Sequence, residues 1–339
     1  MKKTLLILFL IFLLAGLYSA WKVFGPTVSA PENKYFYVRT GAGYDEVKTS
    51  LLDQKIIPGA FFFNLVSKQV KYNQNIKAGR YEIRNGSSIV NLVRILKAGR
   101  QSPVRFVINK LRTKEDFAGK AGQQFEFDST EVMNFITSND SLAKYHFDTN
   151  TVMTAIIPNS YLFWWNVSFK NMFTRFTDQQ KKFWDGKRSQ KAAALNFTPT
   201  QVYTIASIVE EETNRESDKG LVASVYINRL KKGMKLEADP TVKYAMRDFG
   251  LKRILHGHLD YPSLYNTYQH TGLPPGPICT ASINTIDAVL DAPQTNYIYF
   301  VAKPDFNGYS NFAATYPEHL VFANAYRRAL DSLILIRNK

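Results

Sequence analysis

Cysteine is all but missing: Cys279 is the single one in 339 residues. No intramolecular disulfide can form, so a hydrophobic core must hold the chain. With only five histidines beside it, a structural zinc site of four nitrogen and sulfur ligands is not expected. His256-Gly-His258 is a close histidine pair, but no cysteine or carboxylate cluster surrounds it, and it is not read as a metal site. No cofactor is expected. There is neither a phosphate-cradling glycine loop nor a Gly-x-Ser-x-Gly elbow. No internal repeat and no low-complexity tract is found. Acidic residues are the minority, 28 against 43 Lys and Arg, for a net charge of +15. Such a surface attracts polyanions: nucleic acid, anionic lipid or acidic wall polymers. What is plentiful is apolar: 45% of the residues are hydrophobic, which excludes global disorder.

Long apolar runs are absent except at the start. Met1-Lys2-Lys3 is a basic head, and Thr4 to Trp21 follows without a charge. That run of roughly 18 residues is at the lower end of what spans a bilayer, and Val23 and Phe24 extend it past a snorkelling Lys22. A retained anchor is favoured over a cleaved signal peptide, since the run exceeds a usual signal core. No cysteine follows Leu14-Ala15-Gly16, which excludes lipoprotein processing. Lys2 and Lys3 keep the N-terminus cytoplasmic by the positive-inside rule. The rest of the chain is then exported, which argues against nucleic acid as its partner.

The expected organisation is an anchor over 1–24, a linker over 25–33 holding two prolines, a small mixed module over 34–108, and a larger domain over 109–339. In the module, Phe36-Tyr37-Val38 and Arg80 to Ile83 read as strands. Tyr44 to Leu52 reads as a helix, and Pro58 starts a second with Phe61, Leu65 and Val66 on one side. Ser87 or Ser88 caps a third helix that Gly99 ends, and a strand follows over Val104 to Ile108. Residues 109–198 read as mainly helical, with Trp164, Trp165, Phe169, Phe173 and Phe176 in the core. Helices are expected from Pro199, over Gly220 to Leu230 and over Pro317 to Leu335, with a strand over Tyr297 to Ala302. The fold class is therefore α+β.

Ile205-Ala-Ser-Ile-Val-Glu-Glu-Glu-Thr213 places three acids in a row. On a helical wheel with Val202, Ile205, Ala206, Ile208 and Val209 as the apolar stripe, Glu212 falls roughly 50° from its centre, Glu210 roughly 110° and Glu211 roughly 150°. Glu212 extends the buried side and Glu211 points to water. A carboxyl drawn against an apolar wall keeps its proton to higher pH, as an acid catalyst requires. The plain alternative is a helix-end glutamate that bends into solvent or pairs with Arg215 or Arg229.

Further motifs follow in order: Val222-Ala-Ser-Val-Tyr-Ile-Asn-Arg-Leu230, Gly233-Met234, Ala238-Asp-Pro-Thr-Val242, Tyr265-Asn-Thr-Tyr268 and Gly272-Leu-Pro-Pro-Gly-Pro-Ile278. Tyr297 to Val301 and Phe312…Thr315…Glu318-His319 complete the set. With Ile205 to Thr213, these resemble the MltG (YceG-like) endolytic murein transglycosylases over nearly all of 199–320. The resemblance implies an N-terminal transmembrane helix, a small LysM-like βααβ subdomain over 34–108 and a mixed α/β catalytic domain with a substrate groove. Residues 109–198 match weakly. Members often carry a histidine at the position of Ser310, so no role for that histidine carries over.

The resemblance implies Glu212 as catalytic acid, the residue that the wheel also selects. It implies cleavage of the MurNAc–GlcNAc β-1,4 bond of nascent strands without water. Glu212 protonates the leaving oxygen and then takes the proton of the muramyl C6 hydroxyl, which closes a 1,6-anhydro ring. Positioned neutral groups suit such a site: Asn228, Thr241, Tyr265, Asn266, Thr267 and Tyr268 are the expected substrate contacts, with Asp239 as a second carboxylate. Partners implied are peptidoglycan strands, the inner (cytoplasmic) membrane through residues 4–24, and penicillin-binding synthases of the elongation machinery, with the catalytic domain periplasmic. Two other readings stand beside this one. One is a non-catalytic peptidoglycan-binding scaffold. The other is a hydrolase with Asp239 as base, which a carboxyl separation of about 6.5–9.5 Å would favour.

Overall fold

The structure, a computed structural model, describes residues 2–337. Helices are mixed with short paired strands in an α+β fold, and the chain divides into two compact units. One unit holds the residues up to 106 together with 124–127 and 162–168; the other holds the remaining described residues.

The first unit opens with α1 (Lys2–Phe24), 23 residues with none buried. At 1.5 Å per residue it is about 35 Å long, enough to cross a hydrocarbon core of about 30 Å. Next, β1 (Tyr35–Val38) turns Phe36 and Val38 inward. It pairs antiparallel with β2 (Gly79–Glu82), with Phe36 opposite Tyr81. Helices α2 (Tyr44–Asp53) and α3 (Ala60–Gln69) lie between the strands in sequence. Then α4 (Ile89–Ala98) starts where Ser88 Oγ accepts the Asn91 N–H, and ends at Gly99, whose φ of +67° is left-handed. The unit's core gathers Phe36, Leu51, Phe63, Tyr72, Tyr81, Leu92 and Leu96. One face differs from expectation. Helix α3 starts at Ala60 and buries Phe63 and Ser67, while Phe61 and Leu65 are 71% and 55% exposed. Tyr44 stacks on Phe63 with centroids 5.8 Å apart, and that contact sets the inward face. Two residues along the chain is about 200° round the helix.

Strands β3 (Val104–Val107) and β4 (Ser160–Phe163) each span a sequence boundary between the units. In the second unit, α5 (Lys114–Gly122), α6 (Ser129–Ile136), α7 (Asn139–Ala143), α8 (Phe169–Phe183) and α9 (Lys187–Ala194) make up the expected helical stretch. Phe169, Phe173 and Phe176 of α8 are buried, but Trp164 is exposed and Trp165 only half-buried.

The centre of this unit is α10 (Pro199–Glu212), started by a reciprocal cap between Thr198 and Gln201. Every residue from Val202 to Val209 is buried, so the helix is enclosed all round rather than amphipathic. It packs with α11 (Glu216–Lys231), α12 (Asp239–Met246) and α14 (Ile283–Leu290), the last of which follows a single turn, α13 (His256–Leu259). The irregular segment 261–279 threads between α13 and α14 in sequence. Strand β5 (Tyr299–Ala302) pairs antiparallel with β6 (Ser310–Ala313), and α15 (Tyr316–Arg337) follows.

Candidate active site

Three consecutive glutamates close α10, and the enclosure of that helix leaves all three partly buried. Glu210 accepts from Ser282 Oγ at 2.9 Å and from Thr285, and lies 3.7 Å from the buried Lys219 ammonium. Glu211 takes a bidentate fork from Arg112, 3.0 Å to each oxygen, and lies 3.2 Å from Lys110. The wheel turned Glu211 toward water. In the structure its side chain is only 13% exposed, because the segment carrying Lys110 and Arg112 covers that side of the helix end. A wheel describes one helix and not what its neighbours cover.

Glu212 is treated differently. Among the described residues it has no ion pair: Arg215 instead donates to the Asn307 carbonyl, and Arg229 is occupied elsewhere. Among the described residues its carboxyl takes one hydrogen bond, from Tyr226 of α11, whose hydroxyl donates to Oε1 at 2.6 Å. Burial pushes the Glu212 carboxyl up to about 7; the nearby Asp239 carboxylate adds to this, while the Tyr226 hydrogen bond and Lys243 pull the other way. The carboxyl is therefore half protonated near neutrality.

Glu212 lines a cavity of about 350 Å³ together with Arg229, Leu236, Glu237, Asp239, Tyr268, Tyr299, Phe300, Tyr316 and His319. Asp239 is the first residue of α12, and its Oδ1 accepts from the Tyr268 hydroxyl at 2.6 Å. Arg229 builds the wall behind it. Nε donates to the Ile298 carbonyl at 2.7 Å, and Nη1 to the carbonyls of Lys235 and Leu236 and to Glu237 Oε2 at 2.9 Å. One guanidinium thereby ties the start of β5 to the 235–237 segment. The His319 ring stacks on Tyr299 with centroids 5.1 Å apart, and burial with the charges of Arg229 and Arg327 lowers its pKa. His319 is thus neutral near pH 7.

Of the expected substrate contacts, Asp239 and Tyr268 share the cavity with Glu212. Thr241, Asn266 and Thr267 are fully buried behind it. Thr267 Oγ1 accepts the Ala238 N–H at 3.0 Å and lies 2.8 Å from Thr241 Oγ1, and Asn266 Nδ2 donates to the carbonyls of Leu259 and Tyr261 at 2.9 Å. Their side chains fix the loop that carries Tyr268. Asn228 donates to the Thr295 and Tyr297 carbonyls and lines a separate cavity of about 480 Å³. Tyr265 packs on Tyr244 and lines a third. Ser310 donates its N–H to the buried Asp218 carboxylate at 2.8 Å and does not line the Glu212 cavity. Sequence reasoning missed Tyr226, Arg229, Tyr299, Tyr316 and His319 as site residues. The only signal was that all five fall in or beside the ordered motifs.

A sequence model of the YceG-like family matches residues 36–325. A Bacillus subtilis protein named endolytic murein transglycosylase is 44% identical over 119 residues, covering 35% of this chain and 32% of that protein. A Streptococcus pneumoniae protein of the same name is 27% identical over 345 aligned positions, 88% of this chain and 61% of the relative. The chain thus spans less than two thirds of the length of these relatives. The crystal structure of a yceG-like protein of Listeria monocytogenes superposes with a TM-score of 0.56 at 27% identity, covering 84% of this chain and 97% of that one. With the family match running almost from the end of the N-terminal helix into α15, and this fold beneath it, the chain belongs to the YceG-like family.

Proposed function

We propose that this protein is an endolytic peptidoglycan lytic transglycosylase, with Glu212 as its acid and then its base. The observation that carries the reading is a carboxyl at a cavity wall, without a cationic partner and held at about 7. Near neutral pH such a group exists in both forms, so one residue can give a proton and take one back. Protonated Glu212 donates to the glycosidic oxygen between N-acetylmuramic acid and N-acetylglucosamine as that bond breaks. The resulting carboxylate takes the proton from the muramyl C6 hydroxyl, whose oxygen closes on C1 and leaves a 1,6-anhydro end. The nucleophile belongs to the substrate, so positioning does the work that a second carboxylate does in a hydrolase. The relatives named endolytic murein transglycosylase support this reading.

The remaining features are consistent with it. In this reading α1 is a single-pass anchor in the cytoplasmic membrane, with Lys2 and Lys3 inside and the enzyme domain outside. Residues 34–108, with their β1–α2–α3–β2 order, serve as a LysM-like module. The Glu212 cavity belongs to a groove for nascent strands made by penicillin-binding synthases nearby.

Asp239 beside Glu212 keeps a hydrolase as the second reading. Product analysis separates the two. The full chain in detergent is incubated with purified peptidoglycan and the fragments are weighed by mass spectrometry. Anhydro-muramyl ends from the wild type, absent with Glu212→Gln, are expected. Reducing muramyl ends would instead make Asp239 the base of a hydrolase. Bound glycan with no fragments would leave a scaffold.

A further inference from the structure

The Glu212 cavity is acidic: Glu212, Glu237 and Asp239 line it against the single Arg229, itself occupied by Glu237 and three carbonyls. A neutral sugar is accommodated there, but a substrate that carries carboxylates must place them elsewhere. Helix α12 leads to such a place. Its first residue, Asp239, stands in the acidic cavity, and its last turn and C-cap, Tyr244 to Arg247, border a second one of about 180 Å³. The helix is about 12 Å long, so the two cavities lie at opposite ends of one short rigid rod.

The second cavity has the reverse character. Tyr244 and Tyr265 form an aromatic wall, with ring centroids 4.8 Å apart. The Arg247 guanidinium lies over the Tyr244 ring at 5.1 Å, and Lys114 reaches in from the start of α5. Lys114 is half-buried, and its ammonium donates to the Thr149 carbonyl at 3.0 Å. Among the described residues it has no salt bridge. Burial, and then the like charge of Arg247, lower its pKa against the pull of Glu115 and Asp148. Neither acid fills the gap. Glu115 is exposed and meets Arg247 at 3.5 Å, while Asp148 Oδ1 is taken by the N–H groups of Asn150 and Thr151 and by the Thr151 hydroxyl. Half-buried Lys114 has no ion pair among the described residues and lies near Arg247, an exposed cation whose partner Glu115 is exposed too, so a bound anion would relieve the desolvation of Lys114 and its repulsion with Arg247. At ~30 Å³ per water, the space holds a carboxylate with one small side chain, backed by apolar ring faces.

We propose that the Lys114–Arg247–Tyr244–Tyr265 pocket is a subsite for the terminal carboxylate of the peptide that the glycan strand carries. The identity of the ligand rests on the reading of the protein as a peptidoglycan enzyme; the carboxylate chemistry rests on the pocket alone. The subsite holds the peptide's anionic end away from the acidic cavity while the sugar bond enters it.

The test uses the full chain in detergent and needs no catalysis. A synthetic peptide ending in D-alanine is titrated as the free acid and as the C-terminal amide, with binding followed by ligand NMR. The acid is expected to bind about tenfold tighter than the amide, and Lys114→Met is expected to erase the difference. Arg247→Gln, at an exposed position, should reduce it too and guards against misfolding of the first variant. Equal binding of acid and amide, no binding of either, or a preference that survives both substitutions would overturn the proposal. A preference found in a protein that releases no anhydro-muramyl ends would defeat the enzymatic reading and leave the anion subsite standing.

Discussion

The Tyr226 hydroxyl donates to Glu212 Oε1 at 2.6 Å and joins the middle of α11 to the last residue of α10. Tyr226 is fully buried, with its ring edge-on to Phe300 at 6.0 Å, so the donor is held in place by packing. Oε1 is committed to this bond, so in the proposed reaction Oε2 carries the proton given to the substrate. The bond is stronger to the carboxylate than to the acid and so lowers the pKa.

The alkaline limb of the wild-type pH–rate profile is expected near 7, and Tyr226→Phe is expected to move it upward. The profile of kcat/KM reports the free enzyme and is the measurement to make. An unchanged or lowered limb would mean that the hydroxyl does not bond the working carboxylate.

Glu212→Gln should reduce turnover by about 10²–10⁴-fold, the usual share of a general acid. It should also change stability with a defined sign. The folded pKa of about 7 lies above the ordinary glutamate value of 4.5. Below pH 4.5 both states are protonated and the group costs nothing. As pH rises through 7 the unfolded chain releases its proton more readily, and the wild type loses on the order of 3 kcal/mol. Glutamine has no such loss. Denaturant melts should show the variant gaining on the wild type between pH 4 and pH 8; parallel curves would refute the burial of the charge.

Asp239→Asn removes the negative charge that helps raise the Glu212 pKa, so the alkaline limb should move down, opposite to Tyr226→Phe. As a transglycosylase the variant keeps making anhydro-muramyl ends at a reduced rate. Complete loss of cleavage, with reducing ends in the wild type, would show that Asp239 activates water.

Arg229→Met is expected to cost about 2–4 kcal/mol, because the carbonyls of Ile298, Lys235 and Leu236 lose their charged donor. Arg229→Lys should recover little, since one ammonium cannot reproduce the fork. Chemical denaturation reads this directly. A loss of activity without a loss of stability would point to contact with substrate instead.

Glu212 could be singled out from sequence by its apolar register and its local motif, and the structure places it at a cavity wall. The start of α10 was legible for the same kind of reason: Thr198, Pro199 and Gln201 carry a cap signature within four residues. The face of α3 was not legible, since Phe61, Phe62 and Phe63 are equally apolar and the stacking of Tyr44 on Phe63 chooses among them. Nor was the fate of Glu211, because Arg112 stands 99 residues away in the chain.

The sequence by itself determined the apolar N-terminal helix, the α+β composition, the ordered motifs and the helical run that ends at Glu212. Each depends on residues near one another along the chain, where helix period and capping act. Only the tertiary structure decided which polar residues face the cavity. It turned Asn228 away to hold the chain before β5 and buried Thr241, Asn266 and Thr267 as supports. It also brought Tyr299, Tyr316 and His319 into the wall with Glu212. The reason is that a hydroxyl or amide has no preferred environment of its own. Whether it supports a loop or meets a ligand depends on the partner that packing brings within hydrogen-bond reach.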